Sequence, residues 1–231
     1  MIAGEASGDL HGAALAAEIL KRDRSIHLVG IGGPAMERAG VRLIGQVELL
    51  GVVGIVEVLG HFGAIWTAWR RAKQRLLEGI DLLILIDYPE FNLRLAKAAK
   101  KLGIRVVYYI SPQVWAWRKG RVSTIAKRVD RMLVILPFEE PLYREAGVDC
   151  TFVGHPLLDQ NRPQSDPSTR TAYLEKRGLD PSRRTVGLLP GSRIGEITRH
   201  LPVMLEAMRL LKRETGPLQL LLPLAPTLHR T

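Results

Sequence analysis

The chain has a single cysteine, Cys150, which excludes an intrachain disulfide and suits a reducing compartment. Its expected role is a small buried residue at the start of a strand. Long apolar runs are missing as well. A spanning helix needs about 18 apolar residues in succession, and the uncharged stretch from Val58 to Trp69 is shorter than that. The opening Met1-Ile2-Ala3-Gly4-Glu5 has neither the basic region nor the apolar core of a signal peptide. A soluble or peripheral protein is expected. The six histidines form no H-x-x-x-H or H-E-x-x-H pattern, and Cys150 has no partner, so no metal centre is expected. Internal repeats and low-complexity tracts are also lacking.

Acidic residues are in deficit: 23 Asp and Glu stand against 33 Lys and Arg, a net charge of +10. Such a balance attracts phosphates carried by nucleic acid, an anionic membrane or a small molecule. The cations come in dispersed pairs such as Arg70-Arg71, Lys100-Lys101 and Arg183-Arg184, with no basic tail, which weakens the nucleic-acid reading.

What is present is a regular alternation of short apolar runs with helical patterns, the signature of a parallel α/β sheet. Strands are expected near 26–31, 82–86, 105–110, 132–136, 151–153, 185–189 and 218–222. Helices fit 10–22, 53–78, 91–102, 119–128, 138–146, 168–178 and 201–214. The polar, proline-bearing stretch from Asp159 to Pro167 reads as a linker, dividing an N-terminal domain, 1–160, from the start of a second, 161–231. Both ends look cut, since Met1-Ile2-Ala3 is short for a strand that the following turn requires, and the last strand needs neighbours.

Several segments carry chemistry. The run Leu82–Ile86 lacks alternation, as a strand buried on both faces does, and delivers Asp87 to its C-terminal end. A carboxylate there suits a general base; capping of the helix that starts near Phe91 is the alternative for Asp87, and the favoured reading for Glu90. Ser111-Pro112-Gln113-Val114-Trp115-Ala116-Trp117-Arg118 follows a β-branched run and places two of the four tryptophans in a loop at a strand end. Ligand contact and a plug over the sheet end are both open.

Gly4-Glu5-Ala6-Ser7-Gly8-Asp9 precedes a helix and can offer amides to an anion, yet it lacks the G-x-G-x-x-G and Walker spacings. His11, one turn beyond Ser7, either shares that cleft or is a solvated helix residue. Leu189-Pro190-Gly191-Ser192-Arg193 closes a strand with a hydroxyl and a guanidinium suited to a diphosphate, or is a surface turn. Residues 49–69 are apolar nearly all round, and Arg70-Arg71-Ala72-Lys73 follow. That segment fits an anionic lipid interface or a core helix.

Read together, Ala3–Asp9, Gly32-Gly33-Pro34-Ala35-Met36, Gly54–Leu59, Ile86–Asn92, Ser111–Arg118, Leu136-Pro137-Phe138-Glu139, Val153-Gly154-His155-Pro156 and Leu189–Arg193 resemble, in order along the chain, the lipid-A-disaccharide synthase family. The resemblance implies two Rossmann-like parallel-sheet domains of the glycosyltransferase B type, the second truncated, with no cofactor and no catalytic metal. It implies inverting transfer of 2,3-diacylglucosamine from its UDP conjugate to the 6-hydroxyl of 2,3-diacylglucosamine 1-phosphate, in Gram-negative lipid A biosynthesis. The implied location is the cytoplasmic face of the inner membrane, on an anionic surface, with no nucleic acid as partner. Oligomeric state is left open.

On that pattern Asp87 is the catalytic base. Glu5, Ser7, Gly8, Asp9, Asn92, Ser111, Trp115, Trp117, Arg118, His155, Gly191, Ser192 and Arg193 bind substrate, and Val53, Ile55, Val56, Val58, Leu59, Phe62 and Trp66 touch lipid. A chain without most of the donor half is expected to have little or no transferase activity. Two rivals are another UDP-sugar transferase with a lipid or sugar-phosphate acceptor, and a basic α/β binding module.

Overall fold

The computed structural model describes residues 1–46, 55–117, 120–160, 167–192, 194–225 and 228, the side chains of 55–62, 64, 116, 117, 160 and 167 excepted. The chain divides into two compact units, Met1–Asn161 and Arg162–Thr231.

The first unit is built on seven strands: β1 (Ile2–Ala3), β2 (Val29–Gly32), β3 (Arg42–Gln46), β4 (Leu82–Ile86), β5 (Arg105–Tyr109), β6 (Arg131–Val134) and β7 (Asp149–Phe152). They form one sheet in the order β3-β2-β1-β4-β5-β6-β7, with every pairing parallel. Parallel neighbours require crossovers, and helices α1 (Ala6–Arg22), α2 (Pro34–Arg38), α3 (Ile55–Leu77), α4 (Pro89–Lys101), α6 (Arg121–Ala126) and α7 (Glu139–Glu145) lie along these connections. Single turns α5 (Val114–Trp117) and α8 (Leu157–Gln160) complete the unit.

Strand β4 shows why its sequence does not alternate. Leu83 and Leu85 pack into the layer that holds Ala68, Ala72 and Leu76 of α3 and Leu95, Ala96 and Ala99 of α4. Ile84 and Ile86 pack on the other side, with Ala16 of α1 and Met36 of α2. A strand covered by helices on both faces must be apolar at every position.

The order of the sheet reverses between β1 and β4, the topological switch point of a doubly wound fold. In register there, Ala3 is opposite Ile86, so Gly4 and Asp87 leave the sheet side by side. The two following loops meet at this edge of the sheet, where Gly4 lies against the Tyr88 ring.

The second unit contains α9 (Pro167–Glu175), β8 (Thr185–Gly187), α10 (Ile194–Thr215) and β9 (Gln219–Leu221), with β8 and β9 parallel. The helix expected at 201–214 begins earlier, at Ile194, and carries Pro202 inside it.

Other differences have local causes. The strand expected from Ile26 begins at Val29, and Ile26 is exposed in the preceding loop. Helix α2 and strand β3 have no counterpart among the expected elements; α2 has five residues with Pro34 in its first turn, and β3 is a half-buried edge strand. The expected loop after β5 contains α5.

Candidate active site

Asp87 ends β4 in the left-handed region, with φ 46°, and Tyr88 follows with φ 46° and ψ 65°. Ile110, at the end of the neighbouring β5, has φ 63°. Left-handed backbone is unfavourable for side-chain-bearing residues, most of all for a β-branched one, and persists only where surroundings enforce it. The enforcement is visible here. The buried Tyr108 hydroxyl donates to the Asp87 carbonyl at 2.6 Å. Asn92, fully buried on α4, donates from Nδ2 to the same carbonyl at 2.6 Å and to the Ile86 carbonyl at 3.2 Å. The Asn92 amide also donates to the Tyr88 carbonyl at 3.1 Å. Burial, then the Asp87 charge, keep the Tyr108 phenol well above its ordinary pKa, so it remains a donor. Asn92 therefore positions Asp87 through its backbone.

Asp87 lines a cleft of about 520 Å³ together with Glu90, Ile110, Ser111, Arg121 and Glu139. Glu139, almost completely buried at the start of α7, accepts from the Ser111 hydroxyl at 2.6 Å and from the Leu136 amide at 3.3 Å. Buried Tyr143, one turn further along α7, donates to the Pro112 carbonyl at 3.5 Å. Together they fasten the segment after β5. Burial, with the Glu139 charge, pushes the Tyr143 phenol up to about 12 despite the Ser111 hydrogen bond. Glu90 lies within the first turn of α4 and pairs with Arg121 of α6, while Tyr88 holds the N-cap position, which replaces the cap reading of Glu90.

In the tryptophan segment, burial and exposure are divided between neighbouring described residues. Val114 is buried against the cleft, whereas Trp115 is 40% exposed and meets Phe138 edge to face at 5.2 Å. The side chain of Trp117 and all of Arg118 lie outside the described residues.

After β1, Glu5 takes the N-cap position of α1 without a side-chain cap bond, Ser7 is exposed and Gly8 buried in the first turn. The first turn of a helix leaves amides without intrahelical acceptors. Gly4 is forced by packing: a Cβ there would stand 2.1 Å from the Tyr88 ring. The two loops of the switch point thus interlock, and burial, then the charges of Glu90 and Glu5, raise the Tyr88 pKa. Gly8 is close-packed too, since a methyl group at that position would lie only 3.3 Å from Ala3.

Asp9 departs from its expected role. Its carboxylate is buried and accepts from the amides of Gly33 at 2.8 Å, Ala35 at 3.0 Å and Met36 at 2.9 Å, fixing the start of α2. The structure makes it a brace rather than a substrate ligand. His155 Nδ1 accepts from the Leu157 amide at 3.2 Å, and His155 lies close enough to His11 to help burial lower the His11 pKa.

In the second unit, Gly191 has φ 127° and precedes Ser192, whose amide donates to Glu196 of α10 at 3.0 Å. Arg193 lies outside the described residues. So does Val53, as do the side chains of Ile55, Val56, Val58, Leu59 and Phe62. Trp66 is described and is 54% exposed, while Ala68, Ala72 and Leu76 turn the other side of α3 into the core. The described part of α3 thus carries an exposed aromatic on one side and core-packed residues on the other. Among the described residues, no helix is long and apolar enough to cross a membrane, and no group of three or more His, Cys, Asp or Glu could hold a metal ion.

Sequence alone does not single out Glu139, Arg121 or Tyr108 as parts of this site. Tyr108 carries a signal, since Val106 and Tyr108 alternate as inward positions of β5.

The family model for lipid-A-disaccharide synthetase matches residues 1–231. The chain belongs to the lipid-A-disaccharide synthase family. A member from Geobacter metallireducens is 53% identical over 229 residues, and one from Syntrophus aciditrophicus is 56% identical over 232. These alignments take in 99% and 100% of this chain but 59% and 60% of the relatives, so the chain spans about three fifths of their length. A crystal structure from Listeria monocytogenes, assigned as a UDP-N-acetylglucosamine 2-epimerase, superposes with a TM-score of 0.64 at 10% identity, covering 97% of this chain and 61% of its own. That likeness concerns the fold, an α/β architecture of Rossmann-like parallel sheets of the glycosyltransferase B type.

Proposed function

We propose that the complete protein is an inverting glycosyltransferase that moves 2,3-diacylglucosamine from its UDP conjugate to the 6-hydroxyl of 2,3-diacylglucosamine 1-phosphate. The observation that carries this reading is Asp87, held in left-handed backbone at the switch point by Tyr108 and Asn92 and facing an open cleft. Asp87 accepts the proton of the acceptor hydroxyl as that oxygen attacks the anomeric carbon, and UDP departs with the electron pair of the broken bond. Charge developing on the diphosphate is met by Arg193 and by amides near Gly191 and Ser192, that of Ser192 exchanging Glu196 for a phosphate oxygen. Glu5, Ser7 and Gly8 line the acceptor side, and Ser111, Trp115 and His155 shape the cleft around the sugar and its acyl chains. Trp66, exposed on α3, rests on the cytoplasmic side of the inner membrane, and the apolar character of Val53, Ile55, Val56, Val58, Leu59 and Phe62 in the sequence supports lipid contact by them as well.

Turnover of the two lipid sugars by the complete enzyme tests these roles. Asp87→Asn and Arg193→Ala each lower kcat by about 10²-fold or more; wild-type turnover in Asp87→Asn would remove the base from Asp87. The chain of 231 residues, which spans about three fifths of its relatives' length, is expected to form little or no product alone.

A further inference from the structure

Helices α3 and α4 flank a second, shallow and open concavity of about 580 Å³ on the first unit. Trp69 and Lys73 line it from α3, and Arg94, Lys97, Ala98 and Lys101 from α4, with Arg128 closing one side. The α4 residues follow the i, i+3, i+4, i+7 spacing of a single helical stripe, and Trp69 and Lys73 the i, i+4 spacing of another. Five cations therefore converge on one hollow whose lining contains no carboxylate.

Some cations close by in the sequence are neutralised by carboxylates. Lys100, the neighbour of Lys101, pairs with Asp130, and Arg75, two residues beyond Lys73, pairs with Glu78. None of the ion pairs among the described residues includes Lys73, Arg94, Lys97 or Lys101. Lys101 in the last turn of α4 is accounted for by the helix dipole, but Arg94 and Lys97 stand further up the helix, where that term has faded. Arg128 is held in place by donating from Nη1 to the Leu93 carbonyl at 3.0 Å. Trp69 is fixed edge to face on Phe91 at 5.6 Å. Like charges gathered in a hollow repel one another, and an anion seated among them relieves that repulsion.

We propose that this hollow binds the phosphate of an anionic phospholipid headgroup. Charge complementarity selects a phosphate-bearing ligand, and two observations select a lipid as its carrier. Trp66, more than half exposed, lies one turn before Trp69 on α3, so an aromatic ring projects beside the cation cluster as it does at bilayer interfaces. The cations belong to two helix surfaces beside that ring rather than to a groove tracking an extended strand. The site rests on the peripheral-membrane part of the proposed function, extends it to residues outside the apolar segment 49–69, and does not depend on the role of Asp87.

The test uses the complete protein and sedimentation with vesicles of phosphatidylcholine, alone or with about one third phosphatidylglycerol. Each basic side chain near an anionic surface strengthens partitioning on the order of five-fold. The variant Arg94→Gln/Lys97→Gln/Lys101→Gln keeps three good helix formers on an exposed stripe and is expected to retain wild-type tryptophan fluorescence. Its partitioning onto the anionic vesicles falls on the order of 100-fold, its residual binding to phosphatidylcholine is unchanged, and Lys176→Gln/Lys212→Gln/Arg213→Gln in the second unit loses far less. Equal partitioning of the α4 variant and wild type overturns the proposal. So does release of wild type from the vesicles by millimolar inorganic phosphate at constant ionic strength, which assigns the hollow to a soluble anion. Loss of binding to labelled single-stranded RNA with vesicle binding intact also overturns it, in favour of nucleic acid. Asp87→Asn keeps vesicle binding while losing turnover, so failure of the catalytic reading and failure of this one are told apart.

Discussion

Tyr108 and Asp87 are joined by a 2.6 Å hydrogen bond from the phenol to the backbone carbonyl, and that bond crosses from the end of one parallel strand to the end of its neighbour. It ties a residue in strained backbone to the rigid centre of the sheet, which is how a scaffold fixes a reactive side chain without touching it. Tyr108→Phe removes only the hydroxyl. In the complete enzyme we expect a fall in kcat on the order of 10-fold with KM nearly unchanged, and a stability loss of about 1 kcal/mol. A change in KM alone would show that the bond does not set the position of Asp87.

Asp9 is expected to matter for folding rather than for chemistry. Asp9→Ala leaves the amides of Gly33, Ala35 and Met36 without their acceptor in a buried setting, at a cost of about 2–3 kcal/mol measurable by denaturant unfolding. In the complete enzyme, kcat per folded molecule should stay within about two-fold of wild type. A stable but inactive variant would return Asp9 to the substrate site.

Gly4 and Gly8 predict a graded pair. A methyl at Gly4 would collide with the Tyr88 ring at 2.1 Å, and one at Gly8 would press on Ala3 at 3.3 Å. Gly4→Ala should displace Tyr88 and lower both stability and turnover, while Gly8→Ala costs less than about 1.5 kcal/mol. Equal thermal shifts for the two would contradict the packing described.

Alkaline pH should weaken the first unit in two stages. Burial lifts the Cys150 thiol from 9.0 to about 11 and the Tyr143 phenol from 10.0 to about 12 in the folded chain. Each group keeps its proton longer when folded, so stability is intact below the unfolded pKa and falls as pH rises through the folded one. Loss should begin near pH 9 and continue toward 12. Denaturation midpoints for wild type and Cys150→Ala separate the two groups, because the variant should lack the earlier stage. Identical pH dependence would rule out the thiol contribution.

How much of the fold is legible in the sequence follows from the range of each interaction. The run Leu82–Ile86 announces a strand buried on both faces, and it is one, because burial on two sides leaves its mark on consecutive residues. Asp87 at its end can be placed for the same reason. Strand β3 and helix α2 leave little mark, since a five-residue edge strand and a five-residue helix bury too few side chains for periodicity to emerge. The tryptophan segment reads as a loop because Pro112 ends a strand, but proline is also compatible with the approach to a helical turn, and α5 begins two residues later.

Composition and local order in the sequence by themselves determined the parallel α/β class, the net positive charge, the candidate base at the end of β4 and the family resemblance, all of which depend on neighbours along the chain. Tertiary structure alone decided which polar residues are braces. Asp9 spends its carboxylate on amides 24–27 residues away, Glu139 holds Ser111 from 28 residues away, and Tyr108 reaches Asp87 across 21. No spacing rule connects such pairs. They meet because parallel strands require long crossovers, which bring distant loops together at one edge of the sheet and place α3 beside α4 with their cations turned into the same hollow.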